Sequence, residues 1–247
     1  MNGIPSRVRV AAGLDPSAGA GLLADAQAVQ ACGAGLEGVV TALTVQDRGR
    51  FHRFEPVDEA LVQAQWRALH KPGERVVCKL GMTGGAALLD WLLRAIDEAD
   101  QPLVLDPVWR ASSGTLLADE NWRAVLLKQA GVVDLLTPNL DEVNWLLQDV
   151  VDDGDRAAKL LLQQGFVRVL IKGGHQSGRW LCDRFYIDGS RVASWCWPAL
   201  PGSYRGTGCR LASAIAGWYA MGLDWQQAVD RALHWLHAWL PEHGIKV

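Results

Sequence analysis

Short apolar runs alternate with amphipathic segments along most of this chain, and this alternation restricts its fold more than any other feature. The amphipathic segments repeat apolar residues every three or four positions, which is typical of helices. Strands that alternate with helices form parallel sheets, because each helix carries the chain back to the start of the next strand. The predicted strands are residues 8–12, 36–42, 76–80, 103–106, 132–137 and 167–172, and the predicted helices are residues 21–32, 58–70, 86–99 and 119–130, with further helices after Asn139 and Asp153.

The later part of the chain departs from this rhythm. Residues 179–187 and 191–197 flank Asp188-Gly189, a pair that favours a two-residue hairpin turn, so we expect an antiparallel edge. Two helices follow, the first over residues 211–221. Because no repeat or linker-like tract divides the sequence, we predict a single α/β domain over residues 1–247.

Charge and hydropathy exclude several classes of partner. The chain has 24 Lys and Arg against 27 Asp and Glu, a net charge of −3, and 49% of its residues are hydrophobic. Without a continuous basic surface, neither nucleic acid nor a membrane surface is an expected partner. Residues 1–10 lack a signal-peptide core, and no run approaches the ~18 apolar residues of a membrane span. We therefore expect a cytoplasmic protein.

The cysteines predict a reduced protein. Their number is odd, and their spacing contains neither CxxC nor interleaved histidines, which argues against a disulfide framework and against structural zinc. The five are Cys32, Cys78, Cys182, Cys196 and Cys209.

Polar and glycine-rich segments follow most of the predicted strands. Ligands of open α/β sheets bind beyond the carboxyl ends of the strands, so these segments predict a crevice at that edge. The segments are residues 13–21, Gln46, Gly81-Met82, Asp106, Thr137-Pro138-Asn139 and Lys172-Gly173-Gly174.

The sharpest local signal is Gly206-Thr207-Gly208-Cys209, which runs directly into an apolar helix. Glycines allow close backbone approach, and the unpaired N–H groups of a first helical turn hold anions, so the segment predicts a phosphate cradle. An ordinary glycine-rich helix start is the alternative. Between Arg205 and Arg210, the Cys209 thiol is expected to favour its thiolate form and to act as a base or nucleophile, unless it is a buried, inert cysteine.

A second group of residues suits a nucleotide with magnesium. Asn139 and Glu142 share a helix face, and Mg²⁺ bound to nucleotide phosphates needs only one or two protein carboxylates. Helix capping by Asn139 is the competing interpretation. Lys172 ends a buried strand, from which its ammonium could reach phosphates or simply meet solvent.

Two glycine patterns do not support a dinucleotide site. The stretch 33–38 fits G-x-G-x-x-G but follows a helix and enters a strand, the reverse of the required order. The stretch 19–24 opens a helix, but no acidic residue follows where a ribose partner belongs. A Walker A sequence is absent, so ATP chemistry would need another phosphate scaffold.

Taken together, these motifs resemble the ribokinase-like superfamily and, within it, the hydroxymethylpyrimidine/phosphomethylpyrimidine kinases of thiamine biosynthesis. The resemblance implies a three-layer α/β/α fold with a mostly parallel central sheet and an antiparallel edge hairpin. The segments that carry it are residues 13–21 with Asp25, Thr41-Ala42-Leu43 with Gln46, Gly81-Met82, Leu105-Asp106-Pro107-Val108, residues 137–142, Lys172-Gly173-Gly174-His175 and Gly206-Thr207-Gly208-Cys209.

The same resemblance implies roles for individual residues. ATP would phosphorylate the pyrimidine's hydroxymethyl group and then the monophosphate, with Mg²⁺ as cofactor and a homodimer as a possible assembly. The implied catalytic residues are Cys209, Gly206, Gly208 and Lys172; the implied pyrimidine site is Gly13, Asp25, Gln46, Met82 and Val108; ATP would contact Asn139, Lys172, Thr207 and Gly208; and Asp106 and Glu142 would serve the metal. The Gln46 amide can donate and accept side by side, which matches an aminopyrimidine edge.

Four positions depart from the family pattern and keep alternatives open. Ala18 replaces a usual glycine, Ser112 a lysine, Arg205 a histidine, and Arg210 a small hydroxyl residue. Arg210 could contact a phosphate or block it. A pyridoxal-type kinase and a catalytically impaired pyrimidine-binding homologue are therefore alternatives to an active pyrimidine kinase.

Overall fold

One mixed nine-stranded sheet forms the centre of the protein in the computed structural model, which describes residues 6–47, 50–71, 73–111, 114–173, 179–202 and 204–246. The strand order is β3-β2-β1-β4-β5-β6-β7-β8-β9. The strands are β1 (Arg7–Leu14), β2 (Gly35–Gln46), β3 (Phe51–Pro56), β4 (Val77–Leu80), β5 (Leu103–Leu105), β6 (Leu135–Leu136), β7 (Arg168–Ile171), β8 (Trp180–Ile187) and β9 (Ser190–Pro198).

Helices cover both faces of this sheet, and the predicted three-layer α/β/α class is confirmed. Alternate residues of β1 face opposite helix layers: Val8 and Val10 pack in the hydrophobic core on one face of the sheet, and Ala11 packs in the core on the other face. One layer contains α1 (Gly21–Ala31), α7 (Thr207–Ala220) and α8 (Trp225–His243). The other contains α2 (Glu59–Leu69), α3 (Ala86–Glu98), α4 (Trp122–Lys128), α5 (Leu140–Leu147) and α6 (Gly154–Gln163).

Strand pairing follows the predicted pattern in the middle of the sheet and at one edge. The neighbours from β2 to β7 pair in parallel. The hairpin of β8 and β9 is antiparallel, and its turn residues Asp188 and Gly189 have φ of 48° and 84°, as the type I′ signal requires. At the opposite edge β3 pairs antiparallel with β2, a strand that the sequence pattern did not predict.

Some element boundaries differ from the predictions. The strand expected over residues 132–137 is only Leu135–Leu136 in β6, and its expected first residue, Val132, instead ends a 3₁₀ turn that starts at Ala130. Helix α4 begins at Trp122, since the Asp119 carboxylate accepts hydrogen bonds from the backbone N–H groups of Asn121 and Trp122. Ser112, Gly174 and His175 lie outside the described residues.

The expectation of unpaired cysteines is wrong at the edge hairpin. Cys182 and Cys196 form a disulfide, and the β8–β9 register places them directly opposite each other with their Cα atoms 4.1 Å apart. An odd cysteine count does not exclude one pair, and the pairing depends on strand register, which the spacing of cysteines does not reveal. Cys32, Cys78 and Cys209 are free thiols.

We predict that Cys196→Ser lowers the free energy of unfolding by about 3 kcal/mol in oxidising buffer, because the bond constrains a short loop in the unfolded chain. Urea denaturation measures the loss. Reductant should destabilise the wild-type protein equally and leave the variant unchanged. Indifference of the wild-type protein to reductant would show that this disulfide adds no stability.

Candidate active site

A cavity of about 860 Å³ opens at the carboxyl ends of the parallel strands. Its position agrees with the crevice expected for open α/β sheets. The sequence-selected residues on its wall are Gly13, Gln46, Met82, Asp106, Val108, Asn139, Glu142, Lys172, Gly206, Thr207, Gly208 and Cys209. The motifs are far apart in sequence, and the fold brings them to one surface.

The glycine-rich segment forms a close backbone junction at one wall of the cavity. Gly206 precedes α7 with φ of 65°, and a Cβ there would lie 2.2 Å from the carbonyl oxygen of Gly19. Only glycine fits this position. Among the residues that the structure describes, no side chain caps α7, and its first turn carries no acidic residue. The N–H groups of this turn therefore offer an anion site at the positive end of the helix.

Lys172 stands beside this helix terminus. Its Nζ lies 2.8 Å from Asp106 Oδ1 and 3.3 Å from Glu142 Oε2. A Cβ on Gly208 would approach this Nζ to 3.0 Å. Burial opposes the charge of Lys172, but the two carboxylates outweigh it and raise the pKa of the ammonium. A permanent positive charge therefore sits next to the anion site.

The capping interpretation of Asn139 is confirmed. Its side chain accepts from the Glu142 N–H at 2.8 Å, while Glu142 Oε2 accepts from the Asn139 N–H at 2.7 Å. Burial raises the pKa of Glu142 to about 7. The described residues contain no cluster of three or more His, Cys, Asp or Glu suited to a metal. Two carboxylates nevertheless fit Mg²⁺ that keeps most of its waters and binds through nucleotide phosphates.

The other end of the cavity is largely apolar. Met82, Leu117 and Ala42 form a small cluster against which Val108 and Phe51 pack. A Cβ on Gly13 would lie 3.0 Å from Met82 Sδ, so the backbone approaches the methionine closely there. Phe51 belongs to the unpredicted strand β3, and sequence analysis missed it. Such a wall suits a flat heterocyclic ring.

Asp25 does not line this cavity. It is fully buried behind the wall, where Lys79 Nζ and the Ser213 hydroxyl each lie 2.8 Å from Oδ1. Burial raises the pKa of Asp25. Burial also opposes the charge of Lys79, but Asp25 and the other acidic groups nearby together outweigh it and raise the pKa of that ammonium. Lys79 itself lines the cavity. The signal that could have identified it is a lysine inside the buried strand β4.

Cys209 lies in the first turn of α7, but its expected thiolate character is wrong. Burial raises the pKa of the thiol to about 11, and the Lys79 charge opposes this only in part. Neither flanking arginine donates a hydrogen bond to the sulfur: Arg205 donates to Gln46 and the Asp47 carbonyl, and Arg210 donates elsewhere. Desolvation therefore exceeds the stabilisation that the Lys79 charge and the Gly21 N–H give to the thiolate.

Arg210 does not point into the cavity. Its guanidinium donates to the carbonyl oxygens of Gly19 at 2.8 Å, Ala18 at 2.9 Å and Arg205 at 3.3 Å. It also lies over the Trp239 ring, 4.6 Å from the centroid. Ala18, Arg205 and Arg210, three of the four departures from the family pattern, thus form one connected group. The concern that Arg210 blocks a phosphate finds no support in this geometry.

The sequence model of the phosphomethylpyrimidine kinase family matches residues 15–247. The chain belongs to this family. A hydroxymethylpyrimidine/phosphomethylpyrimidine kinase from Streptomyces coelicolor is 36% identical over 234 residues, which is 92% of this chain and 86% of that protein. The corresponding kinase from Aquifex aeolicus is 31% identical over 227 residues, 90% of this chain and 89% of that protein. The family resemblance read from the sequence is confirmed, and the chain is a phosphotransferase by class.

Solved structures agree with this phosphomethylpyrimidine kinase fold. The phosphomethylpyrimidine kinase of Clostridium difficile 630 has a TM-score of 0.79 at 25% identity, covering 94% of this chain and 97% of that one. Pyridoxal kinase from Staphylococcus aureus in complex with pyridoxal has a TM-score of 0.87 at 22% identity, covering 97% and 89%. At that identity the second likeness concerns the fold alone.

We predict that Lys79→Met lowers the free energy of unfolding by about 3–5 kcal/mol, because it leaves the buried Asp25 carboxylate without its positively charged partner. The matched variant Lys79→Met with Asp25→Leu removes both charges and should recover most of the loss. Urea denaturation compares the free energies of unfolding. Equal losses in the single and double variants would contradict the coupling.

We also predict that iodoacetamide alkylates Cys209 at a rate that rises about tenfold per pH unit between pH 7 and 10, since the thiolate is the nucleophile. The rate should not level off in that range because the thiol pKa is about 11. Mass spectrometry of the peptide containing Cys209 separates it from Cys32 and Cys78. A plateau near neutral pH would restore the thiolate expectation.

Proposed function

We propose that this chain transfers the γ-phosphoryl group of ATP to the hydroxymethyl group of 4-amino-5-hydroxymethyl-2-methylpyrimidine, and then to the resulting monophosphate, as in thiamine biosynthesis. One observation carries the proposal. A single cavity joins the N-terminus of α7, with Cys209 in its first turn, to a wall formed by Met82, Val108 and the amide of Gln46. The names of the family relatives support the same substrates.

Phosphoryl transfer needs positioning and charge neutralisation more than covalent chemistry. We assign the transferring group to the N–H groups of Thr207 and Gly208, where the dipole of α7 offsets its negative charge. Lys172 neutralises nucleotide phosphates from beside the same helix terminus. The close approach of Gly206 to the Gly19 carbonyl holds this turn in place.

Cys209 is assigned to the attacking hydroxyl. A thiol with a pKa of about 11 stays protonated at neutral pH, so its main effect is to orient the hydroxyl by hydrogen bonding. The base is the minority thiolate form of Cys209, whose negative charge the Lys79 ammonium stabilises. It takes the hydroxyl proton late, as the oxygen bonds to phosphorus, and becomes the neutral thiol, which returns that proton to solvent after ADP has left.

Magnesium belongs to the proposal as the partner of ATP. Asp106 and Glu142 would hold its hydration shell, with Asn139 next to the nucleotide, and the ion would neutralise phosphate oxygens. Lys172 pairs with both carboxylates and keeps them aligned beside the anion site. Acceptor and nucleotide would then lie at opposite ends of the cavity, with Cys209 between them.

The test is ADP release from Mg-ATP with the aminopyrimidine alcohol, with pyridoxal, and without acceptor, with products identified by mass. We expect ADP release that depends on the pyrimidine and a mono- or diphosphate product. Turnover of pyridoxal alone would make the chain a pyridoxal kinase. Binding of both ligands without turnover would make it an impaired binding homologue.

Cys209→Ala serves as the matched variant in that assay. Loss of the group that orients and deprotonates the hydroxyl should lower kcat by about 10²–10⁴-fold. The dissociation constant for Mg-ATP, measured by calorimetry, should stay within about twofold, because the anion site consists of backbone N–H groups. Unchanged turnover would remove Cys209 from the mechanism.

A further inference from the structure

The side-chain amide of Gln46 is held at both of its ends. Arg205 donates to Oε1, and Nε2 donates to the Thr44 hydroxyl oxygen at 2.8 Å. The Thr44 hydroxyl in turn donates to the carbonyl oxygen of Leu14 at 2.8 Å. A directed chain of hydrogen bonds thus runs from Arg205, two residues before α7, through the amide to the end of β1.

The donors and acceptors around the Gln46 amide allow only one of its two orientations. A guanidinium only donates, so the amide atom that faces Arg205 must be the oxygen. The single hydrogen of Thr44 is used on Leu14, so the atom that faces Thr44 must be the nitrogen. A half-turn of the Gln46 amide would set donor against donor and acceptor against acceptor, and would leave partly buried polar groups unpaired.

Arg205 is itself fixed from several directions. Its side chain is about nine-tenths buried, and the guanidinium donates to the Asp47 carbonyl oxygen. Asp15 Oδ2 lies 3.6 Å from the same group. The backbone N–H of Arg205 donates to the Ile245 carbonyl at 3.0 Å, and its own carbonyl accepts from Arg210. The arginine is a rigid anchor for the amide.

From these contacts we infer that Arg205 is a specificity-determining residue, which locks Gln46 in one orientation and thereby selects which edge of a heterocyclic acceptor the site can pair. The inference rests on the proposed function. With these bonds made, Gln46 offers one remaining N–H on Nε2 and one remaining lone pair on Oε1. An edge with a ring nitrogen acceptor beside an amine donor matches both.

The 4-oxo analogue of the pyrimidine presents the reverse order. Its ring nitrogen carries a hydrogen and its C4 carries an oxygen, so a locked amide faces donor with donor and acceptor with acceptor. A free amide would rotate and pair with either ring. We therefore predict that the wild-type protein, in which the Gln46 amide is held in one orientation, rejects the oxo ring. A variant in which the amide can rotate should accept it.

The experiment compares the amino and 4-oxo acceptors in the wild-type protein and in Arg205→Met, by kcat/KM and by calorimetric binding of each ring without nucleotide. We expect wild-type preference for the amino ring of about 100-fold, because the oxo ring leaves polar groups of ring and amide mispaired. In Arg205→Met the ratio should fall about tenfold or more, because the oxo ring gains. A variant whose site is only distorted would not show a higher kcat/KM for either ring.

Two further variants complete the comparison. Thr44→Val releases the other end of the amide and should relax the ratio in the same direction, which covers the case in which Arg205→Met fails to fold. Arg110→Gln is the control: this arginine lines the cavity but pairs with Asp141 at 2.9 Å, away from Gln46, so the ratio should not change.

The outcomes separate the two proposals. An unchanged ratio in the folded Arg205 and Thr44 variants, or an equal loss for both rings, would overturn the role of Arg205 while leaving the kinase reaction intact. A wild-type protein that binds neither ring, by calorimetry or turnover, would overturn the proposed acceptor and this inference together. A relaxed ratio in both variants supports the lock.

Discussion

The close approach of Gly206 to the loop after β1 is the constraint on which the candidate site depends. The carbonyl oxygen of Gly19 occupies the space where any other residue at position 206 would place its Cβ. This contact joins the first motif of the chain to the terminus of α7. It sets the terminus of α7 against the segment after β1, and both line the same cavity.

Three of the departures from the family pattern lie together at this junction. Read along the sequence, Ala18, Arg205 and Arg210 are three independent changes around two motifs. In the structure they contact one another across the junction, where Arg210 holds the carbonyls of Ala18 and Arg205. Ala18 has φ of 57°, a conformation unfavourable for alanine, and the hydrogen bonds of Arg210 help to hold it there.

Sequence periodicity predicted the parallel sheet and its edge hairpin, because buried strands and the Asp188-Gly189 turn carry strong local signals. It missed β3, whose residues Phe51–Pro56 are mostly exposed and show no clear alternation. Most of the site residues that the sequence selected lie on the cavity wall, since glycines and charges at strand ends are visible in sequence. The Lys79–Asp25 pair and the Cys182–Cys196 disulfide depend on which strands and helices become neighbours, which no local pattern records. The prediction that Cys209 favours its thiolate form was wrong for the same reason, because desolvation depends on how the site is packed.

The contacts that close the junction join residues far apart in the chain. Arg210 and Gly19 are separated by 191 positions, and Arg205 and Asp47 by 158. In a chain made from its N-terminus, neither contact can form until the residues after β9 have been synthesised. During synthesis the sheet between β1 and β7 can assemble while the candidate site is still open. The site is completed only when the last helices have docked, and a partly made chain holds the strands of this enzyme without its chemistry.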